Sequence, residues 1–509
     1  MATQARGKRT ASKAGSDGKA NGGAKARGAA KAEAMAPEPP RQVLHRGAVN
    51  AAYLDKPAHL RTRDERVEAG RALRVSCPRE SHAGFSPASA RPDPIELLMR
   101  SSEGRIEHLV PIRYGRMLAS PFAFYRGAAA IMAADLADTP CTGLGVQACG
   151  DAHLMNFGAF ATPERRIVFD INDFDETYPA PWEWDLKRLA ASFVIASRHN
   201  GHKGSEARAA AAAVVTNYRD RLRELAEMPA LSAWYSYLDY EKLIEMTEDD
   251  ELKRRRRKLL DKALQRDAAA EFVNLAHIDG GRPRIKDAPP LIYHSDEQLD
   301  PGFDERVREH IARYRNSLPV ERHVLFDRYE LADVAVKVVG VGSVGTLCAV
   351  ALLFAAEDDP LFLQVKEARD SVLAPYVHYK GFASNGERVV LGQRLMQAAS
   401  DVFLGHLVSP TGQHLYVRQL RDVKVKPMVE IFNPQNMLGF ARNTGWALAR
   451  AHARSGDAAV IAGYIGKGDV LADAIAEFAM AYADQNERDH AALVAAVRAG
   501  RIEAESDQD

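Results

Sequence analysis

The architecture of this chain can be worked out from one loop, Gly150-Asp151-Ala152-His153-Leu154-Met155-Asn156. It follows Gly145–Cys149, whose apolar side chains predict a short buried strand. Turn-forming and polar residues directly after a strand are typical of a loop that presents side chains at the edge of a sheet. The pattern Gly-Asp-x-His-x-x-Asn therefore predicts a functional loop.

A second acidic segment, Asp173-Phe174-Asp175, follows the next predicted strand, Arg166–Phe169. Phosphoryl transfer needs a carboxylate that orients the acceptor hydroxyl and takes its proton. It also needs oxygen ligands that hold Mg²⁺ against the nucleotide phosphates. The two loops supply these groups, with Asp151 predicted as the catalytic base and with Asn156 and Asp173 predicted as metal ligands.

Three further polar side chains of these loops have predicted roles. His153 is expected to brace the catalytic loop by hydrogen bonds. Asp170 and Asp175 compete with Asp173 as ligands of the metal, because all three carboxylates follow the same strand. The choice among the three acids stays open at this point.

A glycine-rich segment, Gly340-Val341-Gly342-Ser343-Val344-Gly345, follows the predicted strand Val334–Val339. Glycines let backbone N–H groups approach phosphates closely, and a lysine on a following strand can pair with the same phosphates. Such a lysine ends the predicted strand Leu361–Val365. The predicted phosphate contacts are Gly340, Gly342, Ser343, Gly345 and Lys366.

Glu387 is the only acid of a helix predicted at 386–399. A helix after a lysine strand can offer a glutamate to that lysine, which makes Glu387 a candidate partner of Lys366. Because Glu387 lies near the start of its helix, it would equally complement the helix dipole. Glu367 adjoins the lysine but should point away from it, since side chains alternate along a strand.

Taken together, these motifs resemble the aminoglycoside and choline phosphotransferase branch of the protein-kinase-like fold. That branch has a Gly-Asp-x-His-x-x-Asn loop, then Asp-aromatic-Asp/Glu, then an Asp-Leu pair that opens a helix, which Asp185-Leu186 matches. The resemblance implies a two-lobed α+β fold with a mostly helical catalytic lobe and a small antiparallel-sheet nucleotide lobe. It also implies ATP and Mg²⁺ as cofactors and a hydroxyl-bearing acceptor.

The order of the motifs differs from that of ordinary kinases, in which the glycine loop and the lysine precede the catalytic loop. A circular permutation explains the inverted order, and it is tolerated when the original termini lie close together at the surface. The expected domains are a disordered basic tail at 1–40, a catalytic domain at 41–325, a nucleotide-clamping domain at 326–425 and C-terminal helices at 426–509 that pack on the catalytic lobe.

The chain also resembles a bacterial family known as domain of unknown function 2252. That name carries no activity, so the functional expectation rests on the motifs. The matching segments are Phe122–Gly127, Cys149–Gly158, Asp173–Glu176, Gly340–Thr346, Gln364–Ala368 and Leu391–Gln397.

Two other interpretations compete with the phosphotransferase. A dinucleotide-binding oxidoreductase would use Gly340–Gly345 between a strand and a helix, with Glu367 on the ribose. It predicts a helix over 346–356, whereas the kinase-like interpretation predicts a strand there. A non-catalytic nucleotide-binding regulator would keep the same side chains without turnover.

Composition narrows the class of protein. The net charge is zero over 509 residues, and residues 1–40 carry eight Lys/Arg against three Asp/Glu, so the remainder is slightly acidic. This excess of acid argues against a specific nucleic-acid binder. The longest apolar run, Leu347–Ala356, is too short for a bilayer. Four cysteines without a CxxC pair favour a reducing cytoplasm.

The acceptor itself stays open, and so does the choice between phosphoryl and nucleotidyl transfer. Three arginines before the catalytic loop, Arg113, Arg116 and Arg126, would either contact a phosphate or an acidic substrate, or form ordinary ion pairs.

Overall fold

The computed structural model describes 45–46, 61–265, 268–289, 291–294, 302–338, 344–356, 359–379, 381–420 and 423–505. The tail expected at 1–40 lies outside the described residues, as do Gly340, Gly342 and Ser343. The described residues from Pro40 onward belong to one compact unit.

Two small sheets carry the strands on either side of the catalytic loop. One has the order β1-β2-β5, and the other has the order β15-β3-β4-β6. The strands predicted around the loop are present, as β2 before it and β4 after it. The strands are β1 (His45–Arg46), β2 (Leu144–Ala148), β3 (Phe157–Ala161), β4 (Ile167–Ile171), β5 (Tyr178–Pro181), β6 (Leu238–Asp239) and β15 (Lys424–Val425).

Among the described residues, five helices lie between β1 and β2. The Ser120 hydroxyl accepts a hydrogen bond from the Ala123 N–H at the start of the fourth helix, as Ser-Pro at this point predicts. Ala128 departs from helical geometry and separates the fourth helix from the fifth. The helices are α1 (Arg63–Ala72), α2 (Pro94–Ser102), α3 (Val110–Leu118), α4 (Pro121–Gly127) and α5 (Ala129–Ala137).

Helices also dominate from the end of β5 to the large sheet. Within 281–330 the Gly and Pro residues lie before α12 or between α12 and α13, so they interrupt neither helix. The helices are α6 (Trp182–His199), α7 (Gly204–Glu227), α8 (Ala230–Trp234), α9 (Tyr240–Glu245), α10 (Asp250–Leu264), α11 (Ala268–Leu275), α12 (Phe303–Ser317) and α13 (Val320–Phe326), and β7 (Ala276–Asp279) pairs with β8 (Arg282–Ile285).

The largest sheet is antiparallel throughout, in the order β13-β14-β12-β11-β10-β9. The segment after the glycines is a strand, β11, paired with β10, so the strand–helix order of a dinucleotide-binding unit does not occur there. The elements are β9 (Ile292–Tyr293), β10 (Glu330–Lys337), β11 (Cys348–Phe354), β12 (Pro360–Glu367), α14 (Asn385–Met396), β13 (Gly405–Val408) and β14 (His414–Gln419).

Three C-terminal helices complete the fold: α15 (Pro434–Ala453), α16 (Ala458–Ile465) and α17 (Val470–Arg498). They share one apolar core with α6, α7 and the strands around the catalytic loop. The large sheet packs α12 and α13 against its apolar face in a separate cluster. The protein is therefore mixed α+β with small antiparallel sheets, as expected. Among the described residues, none of the helices combines the length and the apolar character that a bilayer crossing requires.

Candidate active site

The catalytic loop begins with a glycine that no other residue could replace without strain. Gly150 has φ +83°, and a Cβ there would lie 2.2 Å from the carbonyl oxygen of Glu176. The loop backbone therefore passes directly against the segment that contains Asp173 and Asp175. This close approach brings the two acidic loops of the sequence together.

Asp185, in the first turn of α6, holds the start of this loop. Its carboxylate accepts hydrogen bonds from the N–H groups of Cys149, at 2.6 Å, and Gly150, at 2.9 Å. It is also 3.1 Å from Nε2 of His452 on α15, whose Nδ1 lies 2.8 Å from the Tyr218 hydroxyl. Asp185 and His452 are buried. The backbone of the loop is thus fixed from two helices at once.

The Asp151 side chain is held by Arg188, which lies one turn after Asp185 on α6. Arg188 Nε donates to Asp151 Oδ1 at 2.7 Å, and its guanidinium lies 4.5 Å from the centre of the Tyr125 ring. Burial raises the pKa of Asp151, while the charge of Arg188 works in the opposite direction. Arg188 thus bonds Oδ1, whereas Oδ2 faces Nε2 of His153 at 3.8 Å.

His153 makes a hydrogen bond within its own loop. Its Nδ1 accepts a hydrogen bond from the Met155 N–H at 3.2 Å, and its Nε2 is 3.8 Å from Asp151 Oδ2. Burial and the nearby arginines lower the pKa of His153 well below its usual range. The imidazole is therefore neutral, with its proton on Nε2 facing Asp151.

Hydrogen bonds of Asn156 connect its loop to the residue that precedes Asp173. Asn156 Nδ2 donates to the Asp151 carbonyl at 2.8 Å, which leaves the amide oxygen as an acceptor. The Asn156 carbonyl accepts from the Asn172 N–H at 2.8 Å, next to Asp173. Burial and the neighbouring Asp175 raise the pKa of the Asp173 carboxyl.

An amide oxygen and a carboxylate are the hard oxygen donors that Mg²⁺ prefers, so this pair fits the expected ion. Mg²⁺ commonly takes one or two protein ligands and completes its shell with phosphates and water. In the described part of the chain, no group of three His, Cys, Asp or Glu side chains is placed to hold a metal.

The Lys366 ammonium donates a hydrogen bond to the Asp175 carboxylate, with 2.5 Å between Nζ and Oδ2. The Tyr416 hydroxyl donates to Asp175 Oδ1, also at 2.5 Å. Although burial works in the opposite direction, Lys366 and Tyr416 lower the pKa of Asp175 to about 2. Both oxygens of Asp175 are bonded by protein donors, which leaves Asp173 as the carboxylate of this loop better placed for a metal.

Two further cations, not predicted from the sequence, accompany Lys366. Arg418 pairs with Gln364 across the sheet, and Tyr416 pairs with Lys366. Because side chains two residues apart on a strand point to the same face, Arg418 and Lys366 share one face of the sheet. Its guanidinium carbon lies 5.9 Å from the centre of the Tyr416 ring. Arg418 also lowers the pKa of the Lys424 ammonium, although that side chain is exposed to solvent. Lys366, Arg418 and Lys424 surround Asp173 with positive charge.

The end of the glycine segment is attached to the chain before α3. The Ile106 N–H donates to the Gly345 carbonyl at 2.7 Å, and Arg105 donates to the Val344 carbonyl at 2.5 Å. Gly345 has φ +81°, a conformation that favours glycine. The other three predicted phosphate contacts of this segment lie outside the described residues.

Glu387 and Asp170 have other partners. Glu387 Oε2 accepts from the Ala383 N–H at 2.6 Å, at the start of α14, while Lys366 pairs with Asp175. Asp170 is buried against Arg450, with nitrogen–oxygen distances of 2.6 and 2.5 Å. Glu387 thus lies in a helix cap, and the Asp170 carboxylate is occupied by an ion pair.

The fold is therefore mixed α+β. At the ends of its strands, carboxylates and an amide side chain lie near a buried lysine. A family model described as "Uncharacterized protein conserved in bacteria (DUF2252)" matches residues 105–496. The chain belongs to this family, which confirms that part of the sequence resemblance. No curated protein and no solved structure shows significant similarity to the chain.

Proposed function

We propose that the protein is an ATP- and Mg²⁺-dependent phosphotransferase with a circularly permuted kinase-like fold, acting on a hydroxyl-bearing acceptor. The observation that carries the proposal is the contact between the Lys366 ammonium and the carboxylate of Asp175, which lies two residues after Asp173. A buried lysine beside a candidate metal ligand is the pairing that nucleotide phosphates require. The nucleotide-clamping domain of this proposal is 326–425, and the catalytic lobe comprises 41–325 and 426–509.

In this proposal each side chain has one task. Asp151, fixed through Oδ1 by Arg188, uses Oδ2 to orient the acceptor hydroxyl and to take its proton. Asn156 and Asp173 hold the metal ion. Bound Mg-ATP supplies the transferred phosphoryl group and neutralises its developing charge.

The sheet supplies the phosphate contacts. Lys366 and Arg418 place positive charge beside Asp173, which suits a polyphosphate. Gly345 and the glycines before it would approach the phosphates through their backbone N–H groups. Lys366 would then exchange part of its contact with Asp175 for the nucleotide.

A thermal-shift experiment tests the proposal, because a ligand that binds the folded state must stabilise it. Mg-ATP should raise the melting temperature of the wild type, and ATP without divalent metal should raise it less. Asp173→Asn should lose the metal-dependent part. If Mg-ATP left the melting temperature of the wild type unchanged, the proposal would be wrong.

A further inference from the structure

Arg126 lies beside the proposed catalytic base. It is in the last turn of α4 and directly follows Tyr125, whose carbonyl accepts a hydrogen bond from Arg188 at 3.1 Å. The same Arg188 guanidinium holds Asp151. The chain of contacts from Asp151 through Arg188 to Tyr125 therefore places Arg126 close to the proposed base, whose charge acts on the Arg126 guanidinium.

The Arg126 guanidinium has no hydrogen bond and no ion pair with any described residue. It packs against the Phe122 ring, 6.0 Å from the ring centre, and its Nε is shielded from solvent without a partner. Arg113, from the same region of sequence, differs because it donates to Ser102 and to the Gly127 carbonyl. The ordinary ion pair expected for such an arginine is thus missing at Arg126.

Two carboxylates face Arg126 at longer range, Asp151 and the exposed Glu430. Asp151 is already bonded to Arg188, and Glu430 forms no ion pair with Arg126. A partly buried charge without a partner is unfavourable unless a ligand of opposite charge pairs with it. A guanidinium suits carboxylate and phosphate groups, which it can bind through two parallel hydrogen bonds.

We infer that Arg126 binds an anionic group of the acceptor, so that the substrate carries a phosphate or a carboxylate besides its hydroxyl. This inference rests on the proposed function, which places the acceptor at Asp151. It narrows the substrate class to phosphorylated or acidic alcohols and disfavours polycationic ones such as aminoglycosides, which Arg126 would repel.

Inorganic phosphate is a suitable probe for this site. The full-length protein is first saturated with Mg-AMP-PNP, which occupies the lysine side, and is then titrated with phosphate while its melting temperature is followed. Phosphate should raise the melting temperature of the wild type further. Arg126→Gln should weaken this phosphate binding by at least tenfold, whereas Arg126→Lys should retain part of it.

Two control variants sharpen the comparison. Arg208→Gln removes an exposed arginine paired with Asp473 and should leave phosphate binding unchanged. Glu430→Gln removes the competing acid and should leave phosphate binding equal or tighter. If Glu430→Gln weakened phosphate binding as much as Arg126→Gln did, Arg126 would be acting through Glu430 and the inference would be wrong.

The remaining outcomes separate this inference from the proposed function. Equal phosphate binding by the wild type and Arg126→Gln, or no phosphate effect on the wild type, would overturn the inference alone. Weaker binding of AMP-PNP but not of ADP by Arg126→Gln would assign Arg126 to the terminal phosphate of the nucleotide and also overturn it. If Mg-AMP-PNP itself failed to bind, the proposed function would fail, and the titration without nucleotide would still test Arg126.

Discussion

The Lys366 ammonium contacts the Asp175 carboxylate at 2.5 Å although 191 residues separate them in the chain. Tyr416, the cross-strand neighbour of Lys366, bonds the other oxygen of the same carboxylate. The large sheet is therefore joined through Asp175 to the acidic segment that contains Asp173, and substitutions on either side of this contact can test the proposed site.

Replacing Lys366 with methionine keeps most of the side-chain volume and removes the charge. We expect Mg-ATP binding to weaken about 10- to 100-fold, the worth of one charge-assisted hydrogen bond to a phosphate. Titration calorimetry of the wild type and of Lys366→Met measures the two affinities for Mg-ATP. Lys286→Met, which removes an exposed lysine bonded to the Val273 carbonyl, is the control. Equal affinities in all three proteins would remove Lys366 from the nucleotide site.

Replacing Asp151 with asparagine separates catalysis from binding. Transfer of labelled phosphate from ATP to an extract of small molecules should fall about 10²- to 10⁴-fold, because the amide cannot take the acceptor proton. The thermal shift with Mg-ATP should stay close to that of the wild type. Asp138→Asn, at an exposed position after α5, should change neither.

The same measurement separates an enzyme from a non-catalytic regulator. If the protein were a regulator, the wild type would bind Mg-ATP but form no labelled product. Asp151→Asn would then not differ from the wild type in this assay. Substantial transfer by Asp151→Asn would instead place the base elsewhere.

Asp185→Asn should destabilise the fold by about 2–4 kcal/mol, because the change weakens bonds to two loop N–H groups and to His452 in a buried site. Urea unfolding followed by circular dichroism measures the loss. Asp473→Asn, at an exposed ion pair with Arg208, should cost less than about 1 kcal/mol. A loss at Asp185 no larger than at Asp473 would show that the buried contacts contribute little.

We expect His82 to make the stability of the folded protein depend on pH. It is buried, 2.8 Å from the Tyr464 hydroxyl, and burial together with the charge of Lys187 lowers its pKa from 6.5 to about 3. Between these values the unfolded chain binds a proton that the folded protein does not, so stability falls as the pH drops below 6.5.

From pH 7.5 to pH 5 the wild type should lose about 2 kcal/mol more than His82→Gln, which has no titrating group there. Unfolding in urea at the two pH values measures the difference. Parallel losses in the two proteins would show that His82 does not carry this dependence.

Much of the site could be predicted from sequence because its motifs are local. Asp151, His153 and Asn156 occupy one loop, and Asp173 and Asp175 occupy the next, so strand ends and spacing sufficed to place them. Lys366 was predicted beside these acids because a glycine segment and a strand precede it. Apolar composition alone left open whether the segment after the glycines is a helix or a strand, and the structure has a strand over Cys348–Phe354.

The partners of these residues could not be predicted in the same way. Arg188 lies three residues after Asp185 on one helix, a spacing that would have indicated a shared face. His452 and Arg450, in contrast, reach Asp185 and Asp170 from a distant helix. Nothing in their own sequence surroundings specifies which acids they meet, since such pairs depend on how the helices pack.

The buried pair of Asp185 and His452 also bears on how the protein is made. Its members are 267 residues apart, and ribosomes add about 5–20 residues per second, so the acid leaves the ribosome roughly 10–50 s before the imidazole exists. During that interval the carboxylate cannot be buried without a penalty. Asp185 can bond the Cys149 and Gly150 N–H groups in that interval, but its contact with His452 is missing. In a nascent chain stalled before α15, we therefore expect proteases to cut the Gly150–Asn156 loop more readily than in the complete protein.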